Sequence, residues 1–166
     1  LAVEMDLKCT HEMFGLNYIV FRPHNVYGEY QNLGDKYRNV VGIFMNQLMQ
    51  EKPLTIFGDG SQTRAFSYIG DVAPYIAKSV EVKEAYNQVF NIGADKEFTV
   101  NELAHTVCDV MGMTGQVRHL EARNEVMHAY ADHSKVQKVF NINSGYSLKE
   151  GLEKMAGWAK TAGSRK

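Results

Sequence analysis

Two short runs constrain this chain more than anything else in it: "NYIVFRP" at residues 17–23 and "QVFNIG" at 88–93. Both are rich in β-branched and aromatic residues, and neither alternates polar with apolar positions. A strand with one wet face alternates with period two, whereas a strand covered on both faces has no need to. Runs of this kind belong in a parallel sheet with helices on either side. The remainder of the chain supplies such helices. "NVVGIFMNQLMQE" has helical apolar spacing and must stop before Pro53. Thr99-Val100-Asn101-Glu102 and Ser147-Leu148-Lys149-Glu150 both match the capping box, each at the head of an apolar-periodic segment. The expected class is α/β.

Composition removes several functions. With 166 residues, 45% of them hydrophobic, the chain suits one compact domain or a piece of a larger one. Its net charge of −1 gives no footing for nucleic acid or an anionic membrane. The basic clusters Arg118-His119 and Ser164-Arg165-Lys166 are too short to alter that. No apolar run approaches the roughly 18 residues of a membrane span. Cys9 and Cys108 have no zinc spacing and are expected as two buried, reduced thiols of a cytoplasmic protein. His11-Glu12 lacks the second histidine of a zinc-protease helix, and no metal site is expected.

The first segment, "LAVEMDLKCTHEMFG", is helical from its first residue, with Leu1, Met5 and Met13 on one stripe and Gly15 as a stop. It has no capping residue at its head. A helix with an end and no start, and buried strands short of sheet neighbours, together lead to the expectation of a piece cut from something longer.

The chemistry-bearing stretch is "PLTIFGDGSQTRAFSYIGD", residues 53–71. Gly58-Asp59-Gly60-Ser61 has turn chemistry, because Gly and Asp tolerate positive φ. "LTIFG" and "RAFSYI" read as short strands that this turn brings together, and Asp71 reads as the cap of the helix through Val72, Ile76 and Val80. Phe57 and Arg64 stand one on each side of the turn, which by itself reads as a plain turn rather than a site. The plain reading of Arg64 is likewise an ion pair with Asp59 or Asp71. Residues 23–38 form a long loop, a length more often functional than not.

"FRPHNVYG", "PLTIFGDGSQTRAFSYIGDV", "VFNIGADKEFTVNELA" and "RNEVMHAYADHSK", in that order, resemble the C-terminal half of the extended short-chain dehydrogenase/reductases. These are the NAD-dependent nucleotide-sugar epimerases and dehydratases, and the likeness is greatest to enzymes of UDP-glucose 4-epimerase type. Nucleotide-sugar dehydratases and UDP-glucuronate decarboxylases are the nearest enzymatic alternatives. A non-catalytic nucleotide-sugar-binding module is the alternative outside enzymes.

The resemblance implies partial Rossmann-type elements plus a small mixed α/β substrate-binding domain. Residues 1–28 would end the Rossmann domain, and 29–166 would be mainly the sugar-nucleotide-binding domain, with 88–93 returning to the Rossmann sheet. Pro23 and His24 would lie beside the nicotinamide, and Asn25 would hydrogen-bond the sugar nucleotide. Val40 and Val41 would offer backbone amides to the diphosphate, Phe57 would pack on uracil, and Arg64 would grip the diphosphate. Phe66 stands where some 4-epimerases carry tyrosine. Arg123 would bind diphosphate and Glu125 ribose, on a spacing one residue tighter than the common form. The implied partner is a UDP-sugar or another nucleotide-sugar. Residues 1–14 are either half of a homodimer face or a face that packs on a Rossmann neighbour. The chain contains no Gly-x-x-Gly-x-x-Gly, and none of its nine tyrosines has a lysine four residues on. The expectation is therefore that NAD serves a full-length protein, that its site is mostly absent here, and that this portion alone is inactive.

Overall fold

The computed structural model describes residues 2–35, 39–143 and 145–164. Leu1 of the apolar stripe, Tyr37, and the basic pair Arg165-Lys166 lie outside them. The two runs that constrain the fold become β1 (Ile19–Pro23) and β6 (Gln88–Ile92). They pair in parallel with Phe21 opposite Phe90. Phe90 and Ile92 are buried together with Val72, Ala85 and Val136. Phe21 stacks on Phe90 at 5.7 Å, and Phe140 closes on both rings. Phe140 ends α5 (Ser134–Phe140), which lies against this strand pair. The cover is unequal: Phe90 and Ile92 of β6 are buried, whereas β1 runs from half-buried at Ile19–Phe21 to exposed at Arg22 and Pro23, short of the cover on both faces that its sequence suggests.

The helix α1 (Ala2–Phe14) ends at Gly15, whose φ of +68° admits a left-handed stop and whose N–H donates to the His11 carbonyl. None of its described residues is buried. Glu4 ties it to β1 by accepting a 2.7 Å bond from Arg22.

A larger apolar cluster fills the space between α2 (Val40–Met49), β3 (Leu54–Phe57), α4 (Val100–Met111) and α6 (Leu148–Ala162). Phe44, Met45, Leu54, Leu103, Leu152 and Met155 form its centre. Both capping boxes are made: Thr99 accepts from the Glu102 amide and Ser147 from that of Glu150, each glutamate reaching back to the cap. Strand β3 pairs in parallel with β8 (Val117–Leu120). Strand β2 (Val26–Tyr27) pairs in parallel with β5 (Ser67–Tyr68). Strand β4 (Thr63–Ala65) runs antiparallel to β7 (Glu97–Thr99) and parallel to β9 (His128–Ala129). The remaining helix is α3 (Ala73–Lys78).

Several expectations are corrected here. The fold is one continuous Rossmann-like α/β unit with parallel strand pairing, and not a Rossmann remnant joined to a separate substrate domain. The reason is that the first strands are stitched into the rest. Tyr27 is 2% exposed within the larger cluster, and its hydroxyl donates to the Leu148 carbonyl at 3.2 Å. Asn25 donates to the Ala65 carbonyl at 3.1 Å. The stretch around Gly58 is not a hairpin, because β3 and β4 belong to different sheets. Asp71 does not cap α3; Val72 stands at that position, and the Asp71 carboxylate accepts from the Tyr146 amide instead. Cys9 is exposed and Cys108 half-buried, so the thiols are not both interior. No helix among the described residues is long and apolar enough to cross a membrane, and no group of three metal-ligating side chains occurs among them.

Candidate ligand cleft

A cleft of about 1250 Å³ opens between β2, α2, β3 and β4. Of the residues singled out in the sequence, Asn25, Val40, Phe57, Arg64, Phe66, Arg123 and Glu125 line it. They are brought there by strand ends and turns. Asn25 sits at φ +44°, a left-handed conformation that asparagine tolerates better than most residues. Its carbonyl receives the Ser67 amide, so the residue fixes the β2–β5 junction at the cleft edge. Gly60, at φ +78°, could not be replaced without collision: a Cβ there would lie 2.2 Å from the Asn101 side chain. Asn101 in turn donates to the Asp59 carbonyl, which clamps the turn onto α4. Ser61 donates through both hydroxyl and amide to Asp59, holding that carboxyl below the usual range.

Phe57, last residue of β3, carries the Arg123 guanidinium over its face at 3.4 Å from the ring centre. This is a cation–π contact between an apolar platform and a planar cation. Arg64 is more tightly bound up. It donates to the carbonyls of Thr63 (2.7 Å) and Met127 (3.2 Å) and forms a 3.0 Å ion pair with Glu125. Its ion-pair partner is therefore neither Asp59 nor Asp71. Glu125 also accepts from Gln62 at 3.2 Å, and Gln62 reaches the Phe57 carbonyl at 3.0 Å. Gln62, 7% exposed, links the platform to the ion pair; sequence reasoning missed it because a glutamine after a turn carries no signature. Phe66 is buried at the cleft wall, with no hydroxyl to offer.

Val41 does not line the cleft, and its amide donates to the Asn39 side chain, which caps α2. Sequence reasoning also missed Asn39, which lines the cleft and donates to the Val26 carbonyl at 2.8 Å.

Pro23 and His24 lie apart from that wall, at the carboxyl end of β1 beside that of β6. Ligands in open α/β sheets bind outside such ends. The His24 ring stacks on His133 at 4.9 Å and 6°, and its Nε2 is buried without a hydrogen-bond partner. Burial holds the His24 imidazole below its usual basicity, with the His133 charge adding to the effect and Asp95 opposing it.

The fold is α/β with a parallel strand pair, and its cleft carries a phenyl ring, two guanidiniums and a carboxylate. Residues 1–93 match the NAD dependent epimerase/dehydratase family, and the chain belongs to that family. It is 34% identical over 158 residues to a Methanocaldococcus jannaschii protein named "Putative UDP-glucose 4-epimerase", covering 95% of this chain and 50% of that one. Among solved structures, the UDP-N-acetylglucosamine 4-epimerase of Methanobrevibacter ruminantium, in complex with UDP-N-acetylmuramic acid, aligns with a TM-score of 0.90 and 30% identity. It covers 97% of this chain and 52% of that one. The UDP-glucuronic acid 4-epimerase of Bacillus cereus, in complex with UDP-glucuronic acid and NAD, aligns at 0.84 and 27%, over 96% and 50%. The chain thus spans about half the length of the relatives it matches.

These matches correct the expectation of an inactive C-terminal portion whose NAD region is mostly missing. The family match begins at residue 1 and runs to 93. The NAD-bound relative aligns to nearly all of this chain. A missing glycine signature is thus no measure of the NAD-related region, since the strand ends at Pro23 and Ile92 fall within the matched part. At these strand ends the His24 Nε2 is a buried polar atom without a partner, which leaves a polar group for a bound cofactor to satisfy.

Proposed function

We propose that the cleft holds a UDP-sugar for an NAD-dependent 4-epimerase of the UDP-glucose type. The observation that carries this reading is the Phe57–Arg123 stack and the Arg64–Glu125 pair lining one cleft, joined through Gln62. A flat base needs an apolar face, and a diphosphate needs planar cations that can bond two oxygens at once. A ribose needs a carboxylate to accept from its hydroxyls. Phe57 would take the uracil and Arg123 the diphosphate, with Glu125 on the ribose. Arg64, with three donor contacts already committed, keeps Glu125 in place while adding charge near the phosphates.

Asn25 and Phe66 would bound the sugar end, where a phenyl group in place of a phenol gives the ring space but no hydrogen bond. Val40, at the first turn of α2 on the cleft, places positive helix-end potential near the diphosphate. On this reading residues 1–28 and the strand at 88–93 serve the cofactor, and the rest serves the nucleotide-sugar. NAD, when bound, supplies a hydride acceptor for the sugar carbinol; Pro23 and His24 would hold its nicotinamide end. The setting is cytoplasmic, and α1 is the face through which two copies would pair.

The test is calorimetric titration with UDP. Wild-type protein should bind it, Phe57→Ala should weaken binding about tenfold, as expected for a lost base–aromatic stack, and Glu125→Gln should weaken UDP more than orthophosphate. Equal binding of UDP by wild type and both variants would refute the assignment.

A further inference from the structure

His24, His133 and Asp95 form a connected set at the carboxyl ends of β1 and β6. Asp95 Oδ1 lies 2.6 Å from His133 Nδ1, and its other oxygen accepts from Gln137 at 2.7 Å. A carboxylate can only accept, so His133 Nδ1 carries the hydrogen, and the tautomer of its ring is set. The His133 ring, 2% exposed, lies flat against His24. Gly93, just after β6, also lies close: a Cβ there would come within 2.7 Å of His24 Cε1 and 2.5 Å of the Ser67 hydroxyl. The His24 ring thus has His133 stacked on it and Gly93 near its Cε1 edge.

Both Nε2 atoms of this stack are buried and unpartnered, and among the described residues only Gln31 Oε1 shares that condition. Packing alone does not call for two imidazoles here; two phenyl rings would stack without leaving polar atoms unsatisfied. We propose that Asp95 and His133 are positioning residues that orient the His24 imidazole for hydrogen bonding to a neutral amide-bearing ligand at these strand ends. This rests on the reading of the strand ends as the cofactor side, the amide being the carboxamide of NAD.

The other charged groups around the stack are already engaged. Lys135 on α5 donates to the Val89 carbonyl at 2.9 Å and covers the Phe90 ring, Asp132 accepts from the Ser134 amide, and Arg22 on β1 is paired with Glu4. Charge at the stack is therefore governed by Asp95 and His133. Burial keeps His24 below its usual basicity, and a neutral imidazole can serve an amide as donor or acceptor without competing for anions.

The experiment is nitrogen-15 NMR of the histidine rings across pH, on wild type, His133→Gln and Asp95→Asn, with and without NADH, together with an NADH fluorescence titration. The proposal expects NADH to shift the His24 ring nitrogens. It expects His133→Gln to raise the His24 midpoint and weaken NADH roughly fivefold, the worth of one hydrogen bond, while UDP affinity is unchanged. Asp95→Asn should broaden the His24 signal into two ring states. If NADH binds and neither variant alters its affinity or the His24 resonances, the positioning role is overturned and the cofactor reading stands. If wild type binds no NADH, the cofactor reading and the positioning role toward that ligand both fall.

Discussion

At the residue scale, the cleft depends on how few donors are left uncommitted. Arg123 meets Phe57 through its face, whereas three of the five Arg64 N–H donors go to two carbonyls and a carboxylate. Arg123→Ala should therefore weaken UDP binding by roughly 10- to 100-fold, the range of a charged hydrogen bond, with little loss of thermal stability. Arg64→Lys should act in the opposite balance. A single ammonium cannot reach Thr63, Met127 and Glu125 together, so melting temperature and UDP affinity should fall in parallel. Thermal melts and titrations on the two variants separate these roles. Phe57 and Arg64 could be singled out in the sequence because ring and guanidinium flank a glycine turn, whereas Arg123 and Glu125 rested on the family resemblance alone. The Arg64–Glu125 pairing was not legible: the two are 61 residues apart, and nothing local in either segment announces the contact.

At the element scale, what could be read was whatever is local. Both capping boxes, the stop at Gly15 and the existence of β1 and β6 need only a few adjacent residues to declare themselves. The supposed hairpin at 54–68 failed for a physical reason. Its glycines do adopt positive φ, yet the chain leaves the turn into a different sheet, because β8 and β7 are better-placed partners than the strands are for each other. Turn chemistry fixes a reversal, not a pairing. Removal of the cap by Ser147→Ala should cost about 1 kcal/mol, read as a lower denaturant midpoint with unchanged slope. Gly151, next along α6, is a harder constraint. A Cβ there would meet the Tyr27 hydroxyl at 2.3 Å and the Tyr68 ring at 3.0 Å. Gly151→Ala should destabilise by about 1–3 kcal/mol through overpacking, and Tyr27→Phe in the same chain should recover part of that loss.

At the scale of the whole molecule, Tyr27 of β2, the cleft residue Phe66 and the final helix share one apolar cluster. Tyr27 illustrates the coupling: burial pushes its phenol well above the ordinary range, and its hydroxyl holds α6. Stability should also follow pH in one direction near neutrality. His24 titrates below its ordinary 6.5 in the folded chain, so the unfolded chain binds a proton that the folded one does not. Its contribution is fully present above 6.5 and is lost as pH falls through the folded value. His24→Gln should flatten this dependence in urea melts taken on either side of 6.5. The central claim, that this cleft is a UDP-sugar site, is tested most directly by titrating UDP into wild type and Phe57→Ala side by side. Saturable binding in the wild type, weakened about tenfold in the variant as a lost stack requires, is the predicted result. Binding that ignores Phe57, or no binding of UDP by the wild type, would contradict it.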